Sequence, residues 1–265
     1  MPNRYNQTKI NALLCYCRAG FEQECAAEIH DQLAHIGLNA NISATANSAY
    51  VLAQLGAPQT LQKLQAIRLP QLVFARQLLF VCAAPVDMPG RDRLTPILDT
   101  LAGLPALSQQ PWLETPDTND GKSLSGFCKR FAPLLEQALQ QRGQFKPADK
   151  EIPLPRLHLF FPLQESCLIA LSIPNNRSEW LMGIPRLKMP HQAPSRSTLK
   201  LAEALLTLLD DSQLRRIMQP GMRAVDLGAA PGGWTWQLSN RGLKVTAVDN
   251  GPLKGEVRDD PLVQH

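Results

Sequence analysis

The chain has 265 residues, a formal net charge of +4, 44% hydrophobic residues and 19% charged residues. These proportions exclude wholesale disorder and leave room for two domains of ordinary size. No apolar run approaches the ~20 residues of a membrane-spanning helix, and the polar start "MPNRYNQTKINALLCYCRAG" carries no signal-peptide pattern, so a cytoplasmic protein with no membrane partner is expected.

Ile10 to Arg18 reads as a strand, and Ala19-Gly20 turns into a helix whose apolar positions Phe21, Cys25, Ile29, Leu33 and Ile36 recur at helical spacing. Gly37 closes it. Ala49 to Leu55 is a second strand, Thr60 to Ile67 a short helix, and Leu72 to Ala84 a third, strand-rich piece broken by Pro85. A helix follows over Arg91 to Leu104, with Pro96 tolerable near its first turn, and then a strand near Trp112.

From Leu124 to Leu139, the residues Leu124, Phe127, Cys128, Phe131, Leu135 and Leu139 fall on one stripe of an amphipathic helix. Its other face carries Lys122, Lys129, Arg130 and Arg142, read as a solvated face in preference to a nucleic-acid surface. "RLHLFFPL" and "SCLIALSI" make a hairpin about Gln164-Glu165, with His158 packed in the core rather than serving as a ligand.

The six cysteines, Cys15, Cys17, Cys25, Cys82, Cys128 and Cys167, are expected as reduced thiols. Cys15 and Cys17 share a strand face and with Cys25 would give three metal ligands. No second close Cys/His pair completes a tetrahedral set, so no metal is expected.

Prolines 174, 185, 190 and 194 break regular structure and mark a linker at 174–194. The segment from Trp180 to Ala202 contains Arg186, Lys188, Arg196 and Lys200 and no acid. It is either a solvated basic linker or a surface that meets phosphates beside an active site. Beyond it, "SRSTLKLAEALLTLLDD" is a helix led by a serine cap, "MRAVDLG" a strand, "GGWTWQLSNRG" a helix and "LKVTAVDNG" a second strand.

Strand, glycine turn, helix and a strand ending in Asp249 is the order of a βαβ nucleotide-binding unit. In "DLGAAPGGWTWQL", Gly228 lets the backbone leave the strand sharply. Gly232 and Gly233 remove side chains where the chain passes close to a ligand, and the next helix offers its free N–H groups. The spacing G-x-x-x-G-G fails the G-x-G-x-x-G dinucleotide fingerprint, which argues against a nicotinamide oxidoreductase. Asp249 follows Asp226 at close to the ~20-residue interval of a ribose-binding carboxylate. S-adenosylmethionine fits this site, with its adenosine hydroxyls on Asp249 and its charged amino-acid tail held by polar backbone and Asp226. The bland alternative is a tight turn in which Asp249 only caps the next loop.

"APSRSTLKLAEA", "AVDLGAAPGGWTWQL", "VDNGP" and "NNRSEWLMGIPRLKMP" resemble the RlmM-type 23S ribosomal RNA 2′-O-ribose methyltransferases. The resemblance extends to "CRAGFEQECAAEI", "LVFARQ" and "PDTNDGKSLSGFCKRF" and so covers nearly the whole chain. It implies a mixed α/β protein: an N-terminal α+β RNA-binding region with a THUMP domain, then a Rossmann-like class I methyltransferase domain. The expected plan is an α/β segment over 1–60, a THUMP-like RNA-binding region over 61–173, the linker, and the methyltransferase portion over 195–265.

The implied reaction is methylation of a cytidine ribose in 23S ribosomal RNA; the protein is expected to be a monomer. Carried over by motif, Ser197, Ala230, Pro231, Gly232, Gly233 and Asp249 contact the cofactor, and the reading of the turn itself adds Asp226 and Gly228. The family often has Cys where Ala230 stands. Arg186, Lys188 and Arg196 meet RNA. Lys200 matches the first lysine of the family's Lys-Asp-Lys catalytic set, where a lysine works as a base only if burial or a neighbouring cation depresses its pKa. The family's catalytic Asp and second Lys come from strand ends beyond Asp249, so this chain is expected to hold only the first part of the domain. The competing reading is an RNA-binding module with a vestigial, inactive methyltransferase half.

Overall fold

Unbroken burial from Ala12 to Tyr16 shows how the N-terminal residues fold: β1 (Lys9–Tyr16) is covered on both faces. Leu13 and Cys15 join one apolar cluster, and Ala12, Leu14 and Tyr16 join another. The computed structural model describes residues 4–105, 110–144 and 154–265. The chain divides between Ile184 and Pro185, inside the stretch expected as linker.

In the first unit, α1 (Glu22–His35) buries Cys25, Ile29 and Leu33 at helical spacing. Gly37 adopts φ 70° just past its end, and Leu38 N–H reaches back to the Leu33 carbonyl at 2.9 Å. The buried Glu22 carboxylate accepts hydrogen bonds from Gly20 and Ala49 N–H, pinning the helix start to the loop before the next long strand. β2 (Ala40–Ser43) has no counterpart in the sequence reading. It is four residues of alternating exposure at a sheet edge, paired with β3 (Tyr50–Thr60). α2 (Leu61–Leu64) is capped by Thr60.

β4 (Gln77–Val81) begins five residues later than expected from Leu72. The N–H groups of Val73 and Phe74 are taken by the Glu28 carboxylate rather than by a neighbouring strand. After Pro85 come β5 (Val86–Asp87), α3 (Leu94–Leu101), β6 (Trp112–Glu114), α4 (Asn119–Ser123), α5 (Ser125–Gln141), β7 (Arg156–Leu163) and β8 (Ser166–Ser172). α5 buries Cys128, Phe131, Leu135 and Leu139, while Lys122, Lys129, Arg130 and Arg142 are exposed.

The eight strands run in the order β2-β3-β1-β4-β8-β7-β6, with β5 on β8. All pairs are antiparallel except β6 with β7. The sheet continues across residue 60, so the residues on either side of that expected boundary share one core.

His158 is fully buried, its Nδ1 2.7 Å from Glu114 Oε2 and its Nε2 2.8 Å from Ser172 Oγ. Glu114 also accepts from the Tyr16 hydroxyl at 2.8 Å and the Met182 N–H at 2.7 Å. Burial, with the Glu114 charge beside it, pushes the Tyr16 phenol well above its ordinary range. All six cysteines are free thiols, five of them buried and Cys82 half-buried. Burial raises Cys128 to about 11 and Cys82 to about 12, and hydrogen bonding among Cys15, Cys17 and Cys25 raises the latter two further.

The second unit consists of α6 (Ser197–Leu208), α7 (Asp211–Ile217), β9 (Arg223–Leu227), α8 (Gly233–Ser239), β10 (Lys244–Val248) and β11 (Val263–Gln264). The strands are parallel in the order β11-β10-β9, with Asp226 opposite Ala247 and Val245 opposite Val263. β11 is one strand more than the sequence announced. The serine cap expected at α6 is absent: Arg196 occupies the cap position without a side-chain bond, and Ser195 Oγ lies 2.6 Å from Ser197 Oγ instead. Among the described residues no helix is long and apolar enough to cross a membrane.

Candidate active site

The glycine turn lies where β9 leaves the sheet. Asp226 is buried, whereas its neighbours Val225 and Leu227 point outward and are 63% and 77% exposed. Gly228 has φ 78° and an added Cβ would meet nothing within 4 Å, so its task is conformational. Its N–H bonds the Val248 carbonyl at 2.9 Å, so the turn starts while still stitched to the end of β10.

Gly232 and Gly233 stand tight against other parts of the chain. A Cβ at Gly232 would stand 2.7 Å from Val257 Cγ1, and one at Gly233 would stand 2.1 Å from Ser197 Oγ and 2.9 Å from the Thr198 backbone nitrogen. They admit the Leu253–Val257 stretch over the turn and the first turn of α6 against α8. The sequence pattern shows that something passes close; only the structure shows what. Thr198, fully buried, seals that contact by donating to the Gly233 carbonyl at 3.1 Å.

Two carboxylates terminate the two strands. Asp249 accepts from Ala230 N–H at 2.9 Å and from Gly251 N–H at 2.8 Å, one bond to each oxygen, and so ties the glycine turn to the loop after β10. The Gly251 N–H, with that of Ala230, holds the Asp249 carboxyl below the usual carboxylate range. Asp226 accepts from the Thr235 hydroxyl at 2.7 Å. Thr198, Thr235 and Gly251 are absent from the sequence reading, since their roles depend on contacts between separate elements. A Cβ at Gly251 would come within 3.2 Å of Ala230 Cβ, a crowding invisible in the sequence.

The structure gathers Ser197, Asp226, Gly228, Ala230, Pro231, Gly232, Gly233 and Asp249 around one turn, with the Ala230–Pro231 peptide cis. Lys200 is exposed on α6 and is not brought into a bond with that turn; Arg186, Lys188 and Arg196 are exposed as well. The burial that a base lysine needs is therefore not supplied by its described surroundings. Among the described residues no group of three His, Cys, Asp or Glu side chains is placed to hold a metal ion.

A parallel strand, glycine turn, helix and strand with acidic residues at both strand ends is the plan of a Rossmann-like, S-adenosylmethionine-dependent methyltransferase domain. Comparison with known proteins agrees. Residues 193–264 match the family described as FtsJ-like methyltransferase, 10–79 the RlmM ferredoxin-like domain, and 92–173 the N-terminal region of ribosomal RNA large subunit methyltransferase M. The ferredoxin-like description falls mainly on the segment expected as 1–60, and none of the three matched descriptions names a THUMP domain.

Ribosomal RNA large subunit methyltransferase M of Aromatoleum aromaticum is 46% identical over 265 residues, covering 100% of this chain and 71% of the relative. The protein of that description from Methylococcus capsulatus is 45% identical over 260 residues, covering 97% and 72%. Among solved structures, TrmN from Thermus thermophilus shares a TM-score of 0.43 and 16% identity, covering 91% of this chain and 65% of that one, a likeness too loose to argue from. This chain belongs to the ribosomal RNA large subunit methyltransferase M family, and its methyl donor is S-adenosylmethionine.

Proposed function

We propose that the protein transfers a methyl group from S-adenosylmethionine to the ribose 2′-oxygen of a cytidine in 23S ribosomal RNA. The observation that carries this reading is the Asp249 carboxylate. It sits at the end of β10, bonded to both loops that frame the turn, where it can accept the ribose hydroxyls of an adenosine.

The residues fit the donor. Asp226 is an anionic partner for the ammonium of the amino-acid tail. Ser197, Gly228, Ala230, Pro231, Gly232 and Gly233 supply the small and backbone surfaces around it. The bound donor supplies an electrophilic methyl group. The protein's own work is to place the ribose hydroxyl in line with it and to exclude misaligned encounters. Lys200 lies one helical turn beyond Ser197, on the same face of α6, and from there it orients that hydroxyl. Its exposure suits an orienting cation better than a base.

Arg186, Lys188 and Arg196, exposed in an acid-free stretch, meet the RNA phosphates. Residues 61–173 act as a THUMP-like RNA-binding region, in a cytoplasmic monomer. The test is transfer of labelled methyl from the donor to unmodified 23S RNA, with the modified position mapped on the RNA. Label at the 2′-oxygen of one cytidine, lost in Asp249→Ala, is the expected result. Label on a base, or unchanged transfer by the variant, would refute the assignment.

A further inference from the structure

Asp226 is 5% exposed, and its carboxylate is engaged on one side only. Thr235, the third residue of α8, is fully buried and donates its hydroxyl to Oδ2 at 2.7 Å. Among the described residues Oδ1 accepts no hydrogen bond. Oδ1 is not among the fully buried oxygens that lack a partner, so the small exposed part of Asp226 includes this atom. An acceptor with unused capacity that is reachable from outside, at the mouth of the glycine turn, is open to a donor supplied by a ligand.

A threonine in a helix ordinarily turns its hydroxyl back to a carbonyl of the preceding turn. Thr235 instead reaches across to β9, and its branched Cβ leaves it few other rotamers. The carboxylate of Asp226, whose terminal torsion is otherwise broad, is thereby locked with one oxygen occupied.

We propose that Thr235 is a positioning residue. It fixes the Asp226 carboxylate so that the second oxygen is held for the ammonium of the methyl donor's amino-acid tail. This rests on the methyl-donor reading of the turn and assigns one interaction within it. Thr235 touches neither donor nor acceptor; it acts through Asp226 alone. The rival is a plain tie between α8 and β9 that keeps the turn folded. The two differ in what they demand of the ligand, because a folding tie supports every part of the site equally.

The test titrates the protein with two probes, S-adenosylhomocysteine and 5′-methylthioadenosine, which keeps the nucleoside and thioether but lacks the amino-acid tail. Thr235→Val removes the hydroxyl at nearly constant volume. It should weaken S-adenosylhomocysteine by about tenfold, the scale of one hydrogen bond to a charged group. It should leave 5′-methylthioadenosine unchanged, which also demonstrates an intact fold. Thr235→Ser should restore the lost affinity. Equal weakening of both probes, or no weakening of either, overturns the inference. Wild-type protein that binds neither compound would overturn the methyl-donor reading beneath it.

Discussion

Residues 4–184 bury phenylalanines and branched aliphatics on both faces of an eight-stranded sheet, whereas 185–265 gather two clusters of four and three buried apolar residues about three strands. Polar groups follow the same division. In the first unit Glu114 meets Tyr16, His158 and the Met182 N–H, a set closed within the fold. In the second, Asp249 and Asp226 bond locally to Ala230, Gly251 and Thr235 and retain acceptor capacity at the turn. One region uses its buried carboxylate to finish a core. The other uses its carboxylates to shape a turn and leaves part of their capacity for a ligand.

That contrast breaks most visibly at Glu114. Replacing it with Ala strands three buried donors, one of them on a histidine, and should cost the first unit at least about 3 kcal/mol, since each buried donor left unpaired costs about 1–3 kcal/mol. Urea unfolding followed separately at Trp112 and Trp234 should show the loss in the first unit alone. A cost near zero would mean that the network is not what closes that core.

Gly233→Ala should act in the opposite place. Its Cβ meets backbone as well as two serine hydroxyls, and relief of such overpacking costs about 1–3 kcal/mol. Stability at Trp234 and donor affinity should both fall, while Trp112 reports no change. Unchanged donor affinity would separate the α6 contact from the site.

pH dependence sharpens the comparison further. Because the folded Asp249 carboxyl lies below its ordinary 3.8, its contribution is complete above that value and lost as pH falls through the lowered one. Donor affinity titrated from neutrality downward should be flat until about pH 4 and then decline. A decline already centred near pH 6 would implicate another group.

The smallest expected effect concerns charge. Reversal of Arg186, Lys188 and Arg196 to Glu should weaken RNA binding more than reversal of Lys129 and Arg130, and should lower the salt slope by about 0.7 per lost single-strand contact. Equal losses from the two surfaces would contradict the assignment of the acid-free stretch.

How far the sequence could be read follows the same line between local and distant. The α1 and α5 stripes, the hairpin of β7 and β8, and the glycine turn with Asp226 and Asp249 depend on neighbours in the chain, and spacing displays them. β2 and β11 do not, since four half-polar residues and two terminal ones carry no pattern of their own. Glu114 is 44 residues from His158 and 98 from Tyr16, so its network has no sequence signature. The glycines illustrate the middle case: their spacing announces a close approach, but Val257 and Ser197 are identified only by the folded chain.

The central claim is that the turn between β9 and β10 holds a sulfonium nucleoside gripped by Asp249. Calorimetric titration of wild type and Asp249→Ala with S-adenosylhomocysteine, and of wild type with NAD, addresses it directly. One saturable site for S-adenosylhomocysteine is expected, weakened about tenfold or more in the variant, with no heat from NAD. Equal affinity in the two proteins, or a site that prefers NAD, would contradict it.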